Sequence, residues 1–173
     1  MLTTFVRVTF LVFTCLCIQN SYSESRFFQG VFEEDSKREV SSTKVDAPKN
    51  IPQNKDLMAF SPSGNSQTLE FFLDKKSITF EQDVVRYIVV VRSREGAVQT
   101  LFSGVDCYNY SKITYASLQD GVWQSYNPEW KPIPNVGYNN YQAYLARKAF
   151  CAGLSANSNL SDILFRLTDD NVR

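Results

Sequence analysis

The run Val84–Arg92 (VVRYIVVVR) constrains the fold more than any other segment of this 173-residue chain. It is rich in β-branched residues, which suit the extended backbone of a strand. Its apolar side chains fall on both alternating faces, so a strand here must be covered on both sides, as a central strand is. Ser93–Gly96 then reads as a hairpin loop in which Gly96 supplies a positive φ. The return strand spans Ala97–Cys107, and Gly104 inside it signals a bulge or a close approach of backbone.

The flanking segments extend this pattern. Upstream, Leu69–Leu73 and Ser77–Phe80 are short β-like runs separated by a turn at Asp74-Lys75-Lys76. Downstream, Lys112–Leu118 is a strand, and the tight turn Asp120-Gly121 leads into Val122–Tyr126. Asn127–Pro134 (NPEWKPIP) is proline-rich and reads as loop. Asn139 or Asn140 caps a helix whose apolar face carries Tyr141, Tyr144, Leu145, Ala149 and Cys151 at helical spacing. Arg147 and Lys148 suit its C-terminal dipole and Gly153 its stop. Leu160–Leu167 forms a last short helix. Strands joined by tight loops and followed by a helix predict an α+β fold: a small antiparallel β-sheet with a C-terminal helix packed on one face.

The N-terminus reads as an export signal. Arg7 is the only charged side chain before Glu24, the apolar stretch Val8–Ile18 follows it, and Ser21-Tyr22-Ser23 has the small-x-small form of a cleavage site. A membrane-spanning helix needs about 20 apolar residues, so this stretch is too short to persist as an anchor. Cleavage is expected after Ser23, with Ser21 as the alternative. Cys15 and Cys17 lack the small residues that a lipid-attachment site requires before its cysteine. The expected organisation is therefore a signal peptide at 1–23, an extended, partly disordered arm at 24–56, an α+β domain at 57–153 and a tail at 154–173. The arm is assigned because residues 30–55 are dense in charge and poor in large apolar groups. Phe27, Phe28 and Phe32 are candidates to dock it on the domain.

Export bears on the cysteines. Cys107 and Cys151 survive in the mature chain, and an isolated pair in an oxidising compartment is expected to form a disulfide, here from helix to sheet. The rival reading is a nucleophilic thiol, which would want a histidine partner; the chain contains no histidine.

That absence also removes the Ser-His triad, the usual general base and most catalytic zinc sites. No nucleotide-binding glycine motif occurs. The chain carries 18 basic residues, Arg7 among them, against 18 acidic ones. It has no field to recruit nucleic acid or anionic membrane. Tyr108–Lys112 and Tyr144–Lys148 match a Tyr-x-x-x-Lys spacing, but without a nucleotide motif they read as coincidence. Asp74, Asp83 and Asp106 suit turns and caps better than paired acid catalysis, and Asp169-Asp170 is a weak calcium signal.

Two features remain. Arg86 lies within the strand expected to be buried, so its guanidinium needs a partner or must reach the surface. It is assigned to a structural ion pair with Asp83 or Asp106, or, as the sharper alternative, to anion binding in a groove. Aromatic residues also crowd the later part of the chain, Tyr115, Trp123 and Trp130 among them. Core packing is their first reading and a recognition surface the second. Arg86, Tyr115, Trp123 and Trp130 are accordingly the candidate binding surface.

VVRYIVVVRSREGAV (84–98), the FSGVDC run ending at Cys107, YASLQDGVW (115–123), Trp130 with Lys131-Pro132-Ile133, and Phe150-Cys151 occur together in this order. With DLMAF (56–60) and Phe72-Leu73-Asp74 upstream, this pattern resembles the CNP-one-like (cryptic neisserial protein one-like) family of exported bacterial proteins. The resemblance covers residues 57–152 and departs after Cys151. It implies the fold and a periplasmic location in Gram-negative bacteria, with no activity and no cofactor to carry over. The resulting expectation is a non-catalytic periplasmic domain, without cofactor or metal, that binds a protein or envelope component. A carboxylate-dependent hydrolase of cell-wall glycan and a purely structural envelope protein are the alternatives.

Overall fold

The computed structural model describes residues 44–62, 68–134 and 140–168. The expected signal peptide with Cys15, Cys17 and its cleavage position, residues 24–43 of the arm with Phe27, Phe28 and Phe32, and the Asp169-Asp170 pair lie outside them.

Eight strands among the described residues join in one antiparallel sheet. They are β1 (Leu57–Phe60), β2 (Leu69–Asp74), β3 (Thr79–Glu81), β4 (Val84–Ser93), β5 (Val98–Asp106), β6 (Ser111–Gln119), β7 (Val122–Ser125) and β8 (Lys131–Pro132). The main order is β1-β2-β4-β5-β6-β7. β4 is central, as the sequence predicts. One of its edges runs along β5; the other pairs first with β3, at Val84–Arg86, and then with β2, at Val89–Ser93. β6 is shared in the same way, by β8 at Ser111-Lys112 and by β7 at Ala116–Gln119.

Both faces of β4 are covered. Val85, Tyr87 and Val89 enter the main core with Phe71, Leu73 and Val105. Ile88 faces the opposite way, into a smaller cluster with Phe102, Ile113, Tyr115 and Ala116. Val45, Ala47, Trp123 and Trp130 pack on this second cluster, so residues 45–47 of the arm lie against the sheet.

The main core is closed by the C-terminal segment. Asn140 Oδ1 accepts from the Ala143 N–H and caps α1 (Tyr141–Leu145). The chain then widens into a π-helical turn, Ala146–Phe150. β9 (Cys151–Ala152) and β10 (Ser155–Ala156) form a small hairpin, and α2 (Leu160–Thr168) follows. α2 buries Ile163 and Leu167, one turn apart, and leaves Phe165 exposed.

Cys107 and Cys151 form a disulfide, with Cα atoms 5.4 Å apart. Its setting corrects the sequence reading. Cys151 does not end the helix but opens β9, immediately after the π turn. Gly153, with φ +68°, is not a helix stop but part of the turn between β9 and β10. The extra residue in the π turn leaves no trace in apolar periodicity, which reports a regular helix through Cys151. The proline-rich loop is interrupted as well: Lys131-Pro132 pairs with Ser111-Lys112 as an edge strand, a place where proline's missing N–H is tolerated.

Gly104 marks a close approach. A Cβ there would stand 2.9 Å from the Tyr115 hydroxyl and 3.0 Å from Ile113 Cγ2. The β5–β6 register shifts between Phe102 and Ser103, so that Tyr115 is the extra residue of a bulge in β6. The bulge lets Tyr115 and Ala116 both join the second cluster, with the Tyr115 ring lying over the bare glycine. Gly104→Ala is expected to destabilise the protein by about 1–3 kcal/mol through overpacking. Urea unfolding monitored by tryptophan fluorescence measures this; an unchanged midpoint would remove the steric role assigned to Gly104.

Candidate functional site

The residues expected to form a binding surface divide into two groups. Arg86 and Tyr115 belong to a polar contact on the second face. The Arg86 guanidinium pairs with Glu81, Arg86 Nε donates to the Tyr115 hydroxyl at 3.4 Å, and the guanidinium stands 5.9 Å from the Tyr115 ring centre. Glu81 is an acid that the sequence reading did not name. The two-residue turn Gln82-Asp83 returns the chain so that Glu81 and Arg86 share a face of the β3–β4 pair. Burial raises the Tyr115 phenol pKa, and the neighbouring Arg86 partly opposes that rise. Tyr115 is only 2% exposed, so it offers no ring to a partner.

Asp106 has a different task. Its Oδ1 accepts from the N–H groups of Tyr108 and Asn109, at 2.9 and 3.1 Å, and fixes the turn between β5 and β6.

Trp123 and Trp130 are half-buried, their rings laid on the second cluster. Trp123 stands edge-on to Phe102. The exposed aromatic of this region is Tyr126, at 47%. Its N–H donates to the Tyr115 carbonyl at 3.0 Å, and the Ile133 N–H donates to the Tyr110 carbonyl, also at 3.0 Å. These bonds fasten one end of the 126–133 loop to β6 and the other to Tyr110, just before β6, while Trp130 packs on the second cluster. Between Tyr126 and β8 the loop borders a cleft beside β6.

That cleft has a volume of about 330 Å³ and is lined by Lys112, Ile113 and Thr114 of β6, Tyr126–Glu129 and Lys131 of the loop and β8, and Gln142 of α1. The size falls within the range of small-molecule sites, roughly 300–1,000 Å³. Lys112 and Lys131 are directly opposite each other in the β6–β8 pairing. Lys112 is half-buried, and its Nζ donates to Gln142 Oε1 at 3.4 Å. Burial, with the Lys131 charge adding to it, holds the Lys112 ammonium pKa below the ordinary lysine value. The sequence places Lys112 at the start of a strand and in a Tyr-x-x-x-Lys spacing that reads as coincidence, with nothing to mark it as a site residue. Its partner lies across a two-residue strand inside a proline-rich loop, where no local signal could place it.

A second cleft, of about 570 Å³, opens between residues 48–56 and the β2–β3 turn, with Asp56, Asp74, Lys76 and Ser77 in its lining. Asp74 is buried, and that burial raises its carboxyl pKa, opposed by the hydrogen bond from the Lys76 N–H to Oδ1 at 3.0 Å. Asp56 forms an ion pair with Lys76 Nζ at 3.0 Å. The described residues contain no group of three or more potential metal-ligating side chains, and no helix among them is long and apolar enough to cross a membrane.

A family model described as the CNP1-like family matches residues 35–168. The match extends beyond the resembling segment on both sides and takes in part of the arm, both small C-terminal strands and α2. No curated protein and no solved structure matches the chain.

Proposed function

We propose that this chain, which belongs to the CNP1-like family, a family of uncharacterised function, is an exported, non-catalytic domain that binds an envelope component. The observation that carries this reading is the cleft beside β6, where the exposed Tyr126 ring stands next to polar side chains converging from three elements. A small concave site with one aromatic wall and several hydrogen-bonding groups suits recognition. Export rests on the N-terminal residues: a basic start, a short apolar run and a small-x-small exit. The disulfide agrees with an oxidising compartment.

Site-specific photocrosslinking in intact cells tests the reading. A photoreactive residue at Tyr126 is expected to give a reproducible adduct. The same group at Val98, exposed at the start of β5, is expected to give none. Equal labelling from both positions, or no adduct together with turnover of purified cell-wall fragments, would overturn it.

One observation favours a second reading, a carboxylate-dependent hydrolase: Asp56 and Asp74 line the same cleft. Against it, Asp56 is held by Lys76, and Asp74 accepts from its own turn. Cell-wall fragment turnover that disappears in Asp74→Asn would establish this reading in place of the first.

A further inference from the structure

Two ammonium groups placed directly opposite each other on paired strands repel, and such a pair destabilises a sheet. Lys112 and Lys131 occupy that arrangement at the wall of the β6 cleft. Among the described residues, no salt bridge involves either of them, and the group that meets the Lys112 ammonium is the neutral oxygen of Gln142. Glu129 is the single carboxylate in the lining, so the cleft carries a net positive charge. An anion seated between the two lysines would turn their repulsion into paired attraction. It would also complete the hydrogen bonding of a half-buried ammonium that now has one neutral acceptor.

The rest of the lining narrows the class. Tyr126 presents an exposed ring with Pro128 nearby, and an apolar ring face of this kind suits the C–H face of a sugar. Thr114, Asn127 and Gln142 add a hydroxyl and two amides, which can both donate and accept and so suit vicinal hydroxyls. We infer that the β6 cleft binds a sugar ring bearing a carboxylate, with the acid group between Lys112 and Lys131 and the ring against Tyr126. This rests on the binding-domain reading and names its ligand class.

The test titrates the oxidised protein with three probes, D-glucuronate, D-glucose and inorganic phosphate, and follows backbone amide shifts by NMR. Glucuronate is expected to move the signals of Ile113, Thr114 and Tyr126 and to bind at least about tenfold more tightly than either other probe, the size of one charge-assisted hydrogen bond. Lys131 is exposed on the short edge strand β8, so Lys131→Gln should fold normally; it is expected to weaken glucuronate binding by about tenfold. Lys112→Met, which keeps the apolar stem of the side chain, should have a similar effect. Tyr126→Ala should weaken glucuronate without altering phosphate. Phosphate binding as tight as glucuronate, or glucuronate binding unchanged in Lys131→Gln, would overturn the assignment. A Tyr126 crosslink to an envelope component, with no glucuronate shift, would overturn the ligand class while leaving the binding reading intact. Absence of both would remove the two together.

Discussion

Replacing Cys107 and Cys151 together by alanine is expected to lower the free energy of unfolding by about 4 kcal/mol. The two residues are 44 apart in sequence, and the chain between them contains β6, β7, β8, α1 and the π turn. In the chain-entropy description a crosslink stabilises by restricting the unfolded ensemble, and the effect grows slowly with the length of loop closed. This loop holds strands β6 to β8 of the sheet and the helical layer that closes the main core. Without the bond, folding must bring them together from an unrestricted chain. Cys107 is also buried at the end of β5, so its loss removes core contacts as well. Urea unfolding of the oxidised protein, the reduced protein and the double alanine variant measures the effect. The reduced protein and the variant should unfold at similar midpoints, both well below the oxidised form. A difference of less than about 1 kcal/mol would mean that the bond stabilises far less than a loop of this length should allow.

How much of this could be read from the chain depends on whether the cause was local. Val84–Arg92 predicted a central strand because apolar residues on both parities leave one place in a sheet where all of them can be buried, and β4 occupies it. Asp120-Gly121 predicted a hairpin because a tight primed turn needs two residues with positive φ, which both adopt. Gly104 signalled a close approach, but its counterpart, Tyr115 in a bulge on β6, depended on a register that only the assembled sheet defines. The helix was predicted and its end was not. A π turn is held by packing around Ala149 and Phe150, whereas periodicity reports only which side of a regular helix is apolar.

The polar contacts were the least legible. Arg86 needed an acid within reach, and Asp83 and Asp106 were the acids near it along the expected strands. Glu81 reaches it because the β3–β4 turn takes only two residues. The lysine pair was further from reach still, since Lys112 and Lys131 meet through an edge strand in a segment whose prolines argue for loop. Side-chain chemistry in this protein is set by which strands become neighbours. That is a property of the whole sheet, and no single segment carries it.

Phe150→Ala is expected to cost about 3–5 kcal/mol, on the scale of the disulfide. Phe150 is fully buried at the last position of the π turn, and its ring centre lies 4.9 Å from that of Tyr87, itself fully buried at the middle of β4. This pair joins the helical layer to the central strand. Truncation to alanine would remove the ring's transfer free energy and leave a void that the surrounding main core fills only in part. Phe165 on α2 is the internal control, because it is 68% exposed and Phe165→Ala should shift stability by less than about 0.5 kcal/mol. Phe150 also precedes Cys151 directly, so the two sites should not act independently. If the disulfide holds the π turn against the sheet, the Phe150→Ala cost in the reduced protein should differ from that in the oxidised protein by more than about 0.5 kcal/mol. A four-state cycle of wild type and Phe150→Ala, each oxidised and reduced, measures that coupling. Equal costs for Phe150→Ala and Phe165→Ala would contradict the packing described here. Strict additivity across the cycle would mean that ring and crosslink anchor the C-terminal layer separately.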